Sequence, residues 1–159
     1  MYAVAVSADG RTLATGDTEG TVGLWDLATR RLRDRFDTGD CGGVGALAFE
    51  PGGAVLATGG GDGTVRLWDL ATHRQIGGPV GANMNESPFR IASALRWVRY
   101  GKGGRLVAGD FMGLVQEWDV ARPADPAAAV CALVGRDLTR AERVRHLPEK
   151  ARDLRVCRP

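Results

Sequence analysis

Residues 46–70 read ALAFEPGGAVLATGGGDGTVRLWDL, and this stretch decides the fold. Apolar residues alternate with other residues on both sides of a Pro-Gly-Gly turn, and a Gly-Asp-Gly turn leads into a third alternating run. Asp-Gly between two such runs is a strong hairpin signal, because glycine supplies the positive φ that tight turns need. The stretch therefore predicts three short antiparallel strands, the last of which runs from Thr64 to Leu70 and contains Trp68-Asp69.

The same unit occurs three times in the chain. Residues 4–27 read VAVSADGRTLATGDTEGTVGLWDL, and residues 96–120 read RWVRYGKGGRLVAGDFMGLVQEWDV. Weaker runs at 32–36 and 74–80 predict a fourth, outer strand after the first two units, and a polar insertion at 81–90 predicts a surface loop. Four short strands every 40–45 residues or so is the spacing of a propeller blade.

The repeats resemble those of the WD40 family over residues 1–120. SADGRTLATG, GDGTVRLWDL and the repeated Trp-Asp agree with the family pattern in order and spacing. The resemblance implies an all-β fold, a partial β-propeller of about three four-stranded blades at about 1–37, 43–80 and 94–120. It also implies a role in protein–protein interaction, with no chemistry of its own.

The resemblance implies a polar tetrad in each blade: Trp on the third strand, Ser or Thr on the second, Asp in the hairpin and His before the first strand. No blade has the full set. Blade two lacks the His, near whose place Asp40 stands; blade one has Glu19 in place of the Asp; blade three has Ala108 and Met112. A partly formed buried network stabilises less, so we expect hydrophobic packing to hold the blades.

We expect the remaining repeat residues to be structural. They are Trp25, Asp26, Thr58, Asp62, Trp68, Asp69, Trp118 and Asp119. Propellers normally bind through the loops around the channel, which here predicts binding near Asp9-Gly10, Arg11, Arg99 and Lys102.

Residues 121–159 leave the blade pattern and predict a short α-helical tail. Asp125-Pro126 fits a helix start, and Thr139 with Glu142 forms a capping box. The segment resembles the C-terminal part of bacterial WD40 proteins, which are often fused to signalling ATPases. The family's usual aromatic after the Glu is here Arg143. The matching residues are Cys131, Gly135-Arg136-Asp137-Leu138-Thr139, Glu142, Leu147-Pro148 and Cys157. Whether Cys131 and Cys157 are bonded stays open, with free thiols expected.

Composition and motifs favour a cytoplasmic protein without catalysis. A net charge of +2 makes no case for nucleic acid or membrane binding, and no stretch reaches the roughly 20 apolar residues that cross a bilayer. No signal peptide is visible, the three cysteines have no metal-ligand spacing, and the Arg-rich, Ala- and Gly-rich composition suggests a bacterial genome. The glycine turns lack the Gly-Lys-Ser/Thr sequence and the following helix of a phosphate loop, although Lys102 lies in one of them. His73 and His146 have no nucleophile motif. We expect no cofactor, no metal and no enzymatic activity.

The predicted function is a scaffold or sensor for unknown protein partners, as the C-terminal sector of a larger WD40 propeller. Three blades are fewer than the roughly four to eight of a closed ring, and open edges invite pairing with another chain. Met1 also enters directly as a first strand. Two alternatives remain open: a homo-oligomer that completes a ligand-binding propeller by self-association, and a truncated remnant of a signalling ATPase without activity of its own.

Overall fold

Short antiparallel strands dominate the structure, a computed structural model that describes residues 3–40, 42–81 and 94–121. The chain divides into two compact units, Met1–Val120 and Ala121–Pro159. All described strands lie in the first unit, and the predicted helical tail lies outside the described residues. No described helix is long and apolar enough to cross a membrane.

Blade one is a four-stranded sheet in which each strand pairs with the next along the chain. Its first turn is closed by Asp9, whose carboxylate accepts bonds from the Ser7 hydroxyl (2.6 Å) and the Arg11 amide (3.0 Å). Four exposed arginines on the outer strand and in the turn before it discourage edge-to-edge pairing. The strands are β1 (Ala3–Val6), β2 (Thr12–Gly16), β3 (Thr21–Asp26) and β4 (Arg31–Asp37).

Blade two repeats this plan with one difference in its outer strand. The prediction of a continuous strand over 74–80 is wrong, because two short segments, β8 and β9, pair separately with β7. Gly77 adopts φ +69° and Pro79 has no amide proton, so the chain leaves the ladder between them. The strands are β5 (Val44–Phe49), β6 (Val55–Gly60), β7 (Thr64–Asp69), β8 (Arg74–Gln75) and β9 (Val80–Gly81).

Blade three shows three strands within the described residues. They are β10 (Leu95–Tyr100), β11 (Arg105–Asp110) and β12 (Val115–Asp119), and a 3₁₀ turn at Lys102–Gly104 joins the first two. Tyr100 pairs with Leu106, whereas the equivalent pair in blade two is Phe49 with Leu56. The turn is therefore one residue shorter in blade three.

Two apolar clusters hold the three blades together, one at each junction. Blade two contributes to both, because successive side chains of its third strand point to opposite faces. Trp68 packs into the cluster shared with blade one, and Val65, with Leu67 against it, belongs to the cluster shared with blade three. The alternation of residues 64–70 in the sequence predicts Val65 and Leu67 on one face of the strand and Trp68 on the other, and this prediction is confirmed. Strand β6 is buried along its whole length because it lies between both clusters.

Candidate interaction site

The aspartate of each Trp-Asp pair stands at the end of its strand. The Asp26 carboxylate accepts bonds from the amide (2.7 Å) and hydroxyl (2.9 Å) of Thr29, and Asp69 does the same with Thr72 at 2.9 and 3.0 Å. The bonds from Thr29 lower the pKa of Asp26. Asp119 is the last residue of β12. In the first two blades the repeated aspartate thus organises the turn to the outer strand.

The tryptophans of blades one and two make the same hydrogen bond. Trp68 Nε1 donates to Thr58 Oγ1 at 3.0 Å, and Trp25 Nε1 donates to Thr15 Oγ1 at 3.0 Å. The Trp68 ring is 5% exposed and lies 5.2 Å from the Phe36 ring of blade one. The Thr–Trp half of the predicted tetrad therefore forms in both blades.

Blade three keeps the tryptophan without that hydroxyl. Trp118 pairs in register with Leu106 and packs on the cluster between blades two and three. Ala108 stands where Thr58 stands in blade two, as the sequence indicates. Among the described residues, Trp118 is therefore positioned by apolar packing, without the threonine hydroxyl that bonds the tryptophan in blades one and two.

An ionic cluster stands where the family tetrad would place His and Asp in blade two. Arg66 contacts Asp40 Oδ2 at 3.1 Å and Asp62 Oδ2 at 2.7 Å. Asp62 also accepts the amide (2.9 Å) and hydroxyl (2.8 Å) of Thr64. The Asp40 side chain is only 2% exposed, and a Cβ on Gly60 would collide with its carboxylate. One guanidinium thus ties the segment before blade two to the hairpin of blade two.

The pKa values of the two carboxylates in this cluster are shifted in opposite directions. Burial, together with the nearby charge of Asp62, raises the pKa of Asp40 above its ordinary value. Burial also disfavours the charged form of Asp62, but the bonds from Arg66 and Thr64 outweigh it and lower the pKa of Asp62. Sequence reasoning found Asp62 and missed Arg66; the signal was an arginine two residues before Trp68, where blade one has Gly23.

A cleft of about 460 Å³ lies between blades one and two on the rim formed by their first turns and Trp-Asp turns. His73 stacks on Phe36 at 5.3 Å between ring centroids and lies 3.4 Å from the Asp34 carboxylate. Of the predicted binding loops, Asp9 lines this cleft, while Arg99 belongs to strand β10 and lies outside any loop. The described residues contain no group of three side chains that could hold a metal ion.

The open face of blade one is the most informative surface. It consists of side chains that the register places on one side of the sheet: Val4, Val6, Leu13, Thr15, Trp25 and Leu32. Val4, Val6 and Leu32 are 52%, 55% and 46% exposed. In the part of the chain that the structure describes, no further sheet covers this face.

The same positions in blade two are covered. Adding 43 to the residue numbers of the open face gives Leu47, Phe49, Leu56, Thr58 and Trp68, which lie at the junction with blade one. Leu47, Leu56, Thr58 and Trp68 are buried there, and Phe49 packs against the cluster. The open face thus repeats a surface that packs against a neighbouring blade.

Comparison with known proteins agrees with this architecture. The WD40 family model, described as "WD domain, G-beta repeat", matches residues 1–26 and 33–69. Residues 1–26 and 33–69 are therefore similar to WD40 repeats, in agreement with the resemblance expected from the sequence. The structure of this chain is similar to the β-propeller domain of Cps50 (Swd1) from Myceliophteria thermophila, with a TM-score of 0.61 and 21% sequence identity. The match covers 77% of this chain and 35% of that one, and it shows the fold.

A curated plant protein is similar over a shorter stretch. It is the U3 snoRNP-associated protein-like EMB2271 of Arabidopsis thaliana, 52% identical over 50 residues. The match covers 31% of this chain and 10% of the plant protein. The chain thus spans a small part of the length of this relative.

Proposed function

We propose that this chain, which is similar to WD40 repeats over residues 1–26 and 33–69, is a non-catalytic scaffold or sensor module for protein–protein interaction, working as a sector of a larger β-propeller. The observation that carries the proposal is the open face of blade one. Its apolar side chains occupy the positions that blade two uses to pack on a neighbouring blade. Full burial of each such side chain contributes about 1.5–3 kcal/mol, so a neighbouring blade would gain several such terms there.

The Thr15–Trp25 bond supports the same reading. It matches the buried Thr58–Trp68 bond in length. A hydrogen bond between two side chains gains most where water is excluded. Blade one therefore has its half of a blade junction already formed in the absence of the other half.

Photo-crosslinking tests the proposal. A photoreactive residue replaces Val6 on the open face, and a matched control replaces Glu19, which is exposed at the β2–β3 hairpin. In cells that express the full protein, we expect Val6 to capture a peptide from a β-propeller blade, identified by mass spectrometry, and Glu19 to capture none. Equal capture at both sites, or capture of no blade at Val6, would contradict the proposal.

The setting of the interaction is also a proposal. A cytoplasmic location, a bacterial source and a link to signalling ATPases are expected from the sequence, whereas a relative with a U3 snoRNP name favours a nuclear setting. Fractionation of the source cells separates the two: recovery with ribosome-free cytosol supports the first, and co-sedimentation with U3 particles supports the second.

A further inference from the structure

A glycine on the second strand of each of the first two blades forms a socket for the next blade. A Cβ on Gly16 would lie 2.5 Å from Cγ1 of Val44, the first residue of blade two. A Cβ on Gly59 would lie 3.0 Å from Cβ of Leu95, the first residue of blade three. At both junctions the absent side chain makes room for the first strand of the following blade.

In blade three the equivalent socket, at Gly109, is filled by a side chain of the same blade, Trp97. Gly109 follows Gly59 by the same 50 residues that separate Trp118 from Trp68. A Cβ on Gly109 would lie 2.5 Å from the indole ring of Trp97, which pairs with Gly109 in register. The ring therefore lies over the glycine where a following blade would place its first residue.

The equivalent of Trp97 in the other blades is small. Gly16 pairs with Ala3, and Gly59 pairs with Ala46. An alanine at that position leaves the socket open for a side chain from the next blade. Trp97, which is 37% exposed, brings a large ring to the same place.

The rest of the outward face of blade three also departs from a blade junction. This face consists of Trp97, Arg99, Val107, Val115 and Glu117. Blade two has Ala48 and Leu67 at the places of Arg99 and Glu117. Arg105 and Glu117 form an exposed ion pair at 2.6 Å. Covering these charges with an apolar sheet would cost free energy, because buried charges need partners.

We infer that Trp97 caps blade three, so that, among the blades that the structure describes, this chain accepts a neighbouring blade at the open face of blade one and at no other face. The larger propeller is then open at blade three. The inference rests on the proposed function. The occupant of the open face is a blade with a glycine socket surrounded by alanines, as in blades one and two. Two copies of this chain do not join head to tail, because the outward face of blade three has no free socket.

Sedimentation of the full chain tests the cap by a gain of association. The triple variant Trp97→Ala, Arg99→Ala, Glu117→Leu should self-associate at least about tenfold more tightly than the natural chain, because a free socket and an apolar face then meet the open face. Adding Val6→Asp to that variant should abolish the gain. The double variant Arg99→Ala, Glu117→Leu, which keeps the cap, should stay like the natural chain.

Three results would overturn the inference. They are self-association of the natural chain that Val6→Asp abolishes, equal association of the double and triple variants, and a folded triple variant that does not associate. If the alanine variant does not fold, Trp97→Val keeps a strand-forming residue and a smaller side chain at the socket. Self-association of the natural chain would overturn the cap and leave the open face as an interface. Failure of crosslinking at Val6 would instead contradict the proposed function without testing whether Trp97 caps blade three.

Discussion

Blades one and two present the same residue pattern on the same face, and only one of the two faces is covered. Leu56 is fully buried at the junction, whereas Leu13, 43 residues earlier, is half-buried. The Thr–Trp bonds of the two blades have the same length. The geometry within a blade therefore follows from its own sequence, while burial depends on the neighbour. This difference gives matched pairs of variants.

The largest effect is expected from the paired leucines. Leu56→Ala should lower the free energy of unfolding by about 2–5 kcal/mol, because it leaves a cavity at the junction. Leu13→Ala should cost about 1 kcal/mol, because its side chain already meets solvent and leaves no enclosed cavity. Urea unfolding followed by circular dichroism measures both. Equal losses would remove the distinction between the two faces.

Blade two has the ionic cluster of Arg66, Asp40 and Asp62, whereas blade one does not, because Gly23 stands at the position of Arg66. Arg66→Met should cost about 3 kcal/mol, because it leaves the buried Asp40 carboxylate without its cation. Arg105→Met, which breaks the exposed pair with Glu117, should cost at most about 1 kcal/mol. The same unfolding measurement compares them, and similar losses would mean that Asp40 is solvated.

The indole hydrogen bonds give a smaller contrast. Trp68→Phe removes the donor to the buried Thr58 hydroxyl, and we expect a loss of about 1–3 kcal/mol. Trp25→Phe should cost about 0.5 kcal/mol, because water reaches the Thr15 hydroxyl on the open face. Thermal unfolding resolves the two variants. A larger loss for Trp25 would show that the open face is covered in the isolated chain.

The smallest effect concerns pH. The folded-state pKa of Asp40 is raised, so the folded chain binds more protons than the unfolded chain between the unfolded value, about 4, and the folded value. Stability from this group therefore falls as pH rises through that window. Asp40→Asn removes this pH-dependent contribution to stability. The stability of the variant relative to the natural chain should therefore increase with pH between the unfolded and folded pKa values of Asp40. A relative stability that decreases with pH would contradict the direction.

Local signals in the sequence predicted most of the fold. Alternation and Asp-Gly turns located the strands, and the alternation of β7 assigned Val65 and Trp68 to opposite faces. The break in the outer strand was also encoded locally, in Gly77-Gly78-Pro79, but a weak apolar run masked it. These features depend on neighbouring residues, which is why spacing sufficed.

The contacts that the sequence analysis did not predict join residues that are far apart in the sequence. Asp40 and Arg66 are 26 residues apart and are brought into contact by the fold of blade two. Trp97 reaches Gly109 because the shorter turn of blade three shifts its first strand by one residue. Neither contact has a periodic signal. The helical tail and the Cys131–Cys157 question lie outside the described residues and stay predictions.

Radical footprinting of Trp25 tests the central claim most directly. The oxidation rates of Trp25 and Trp68 are compared in the purified chain and in the native assembly from cells. We predict that Trp25 reacts several-fold faster than Trp68 in the purified chain, and as slowly as Trp68 in the assembly, because a blade then covers the open face. A Trp25 that reacts as fast in the assembly as in the purified chain would contradict the account.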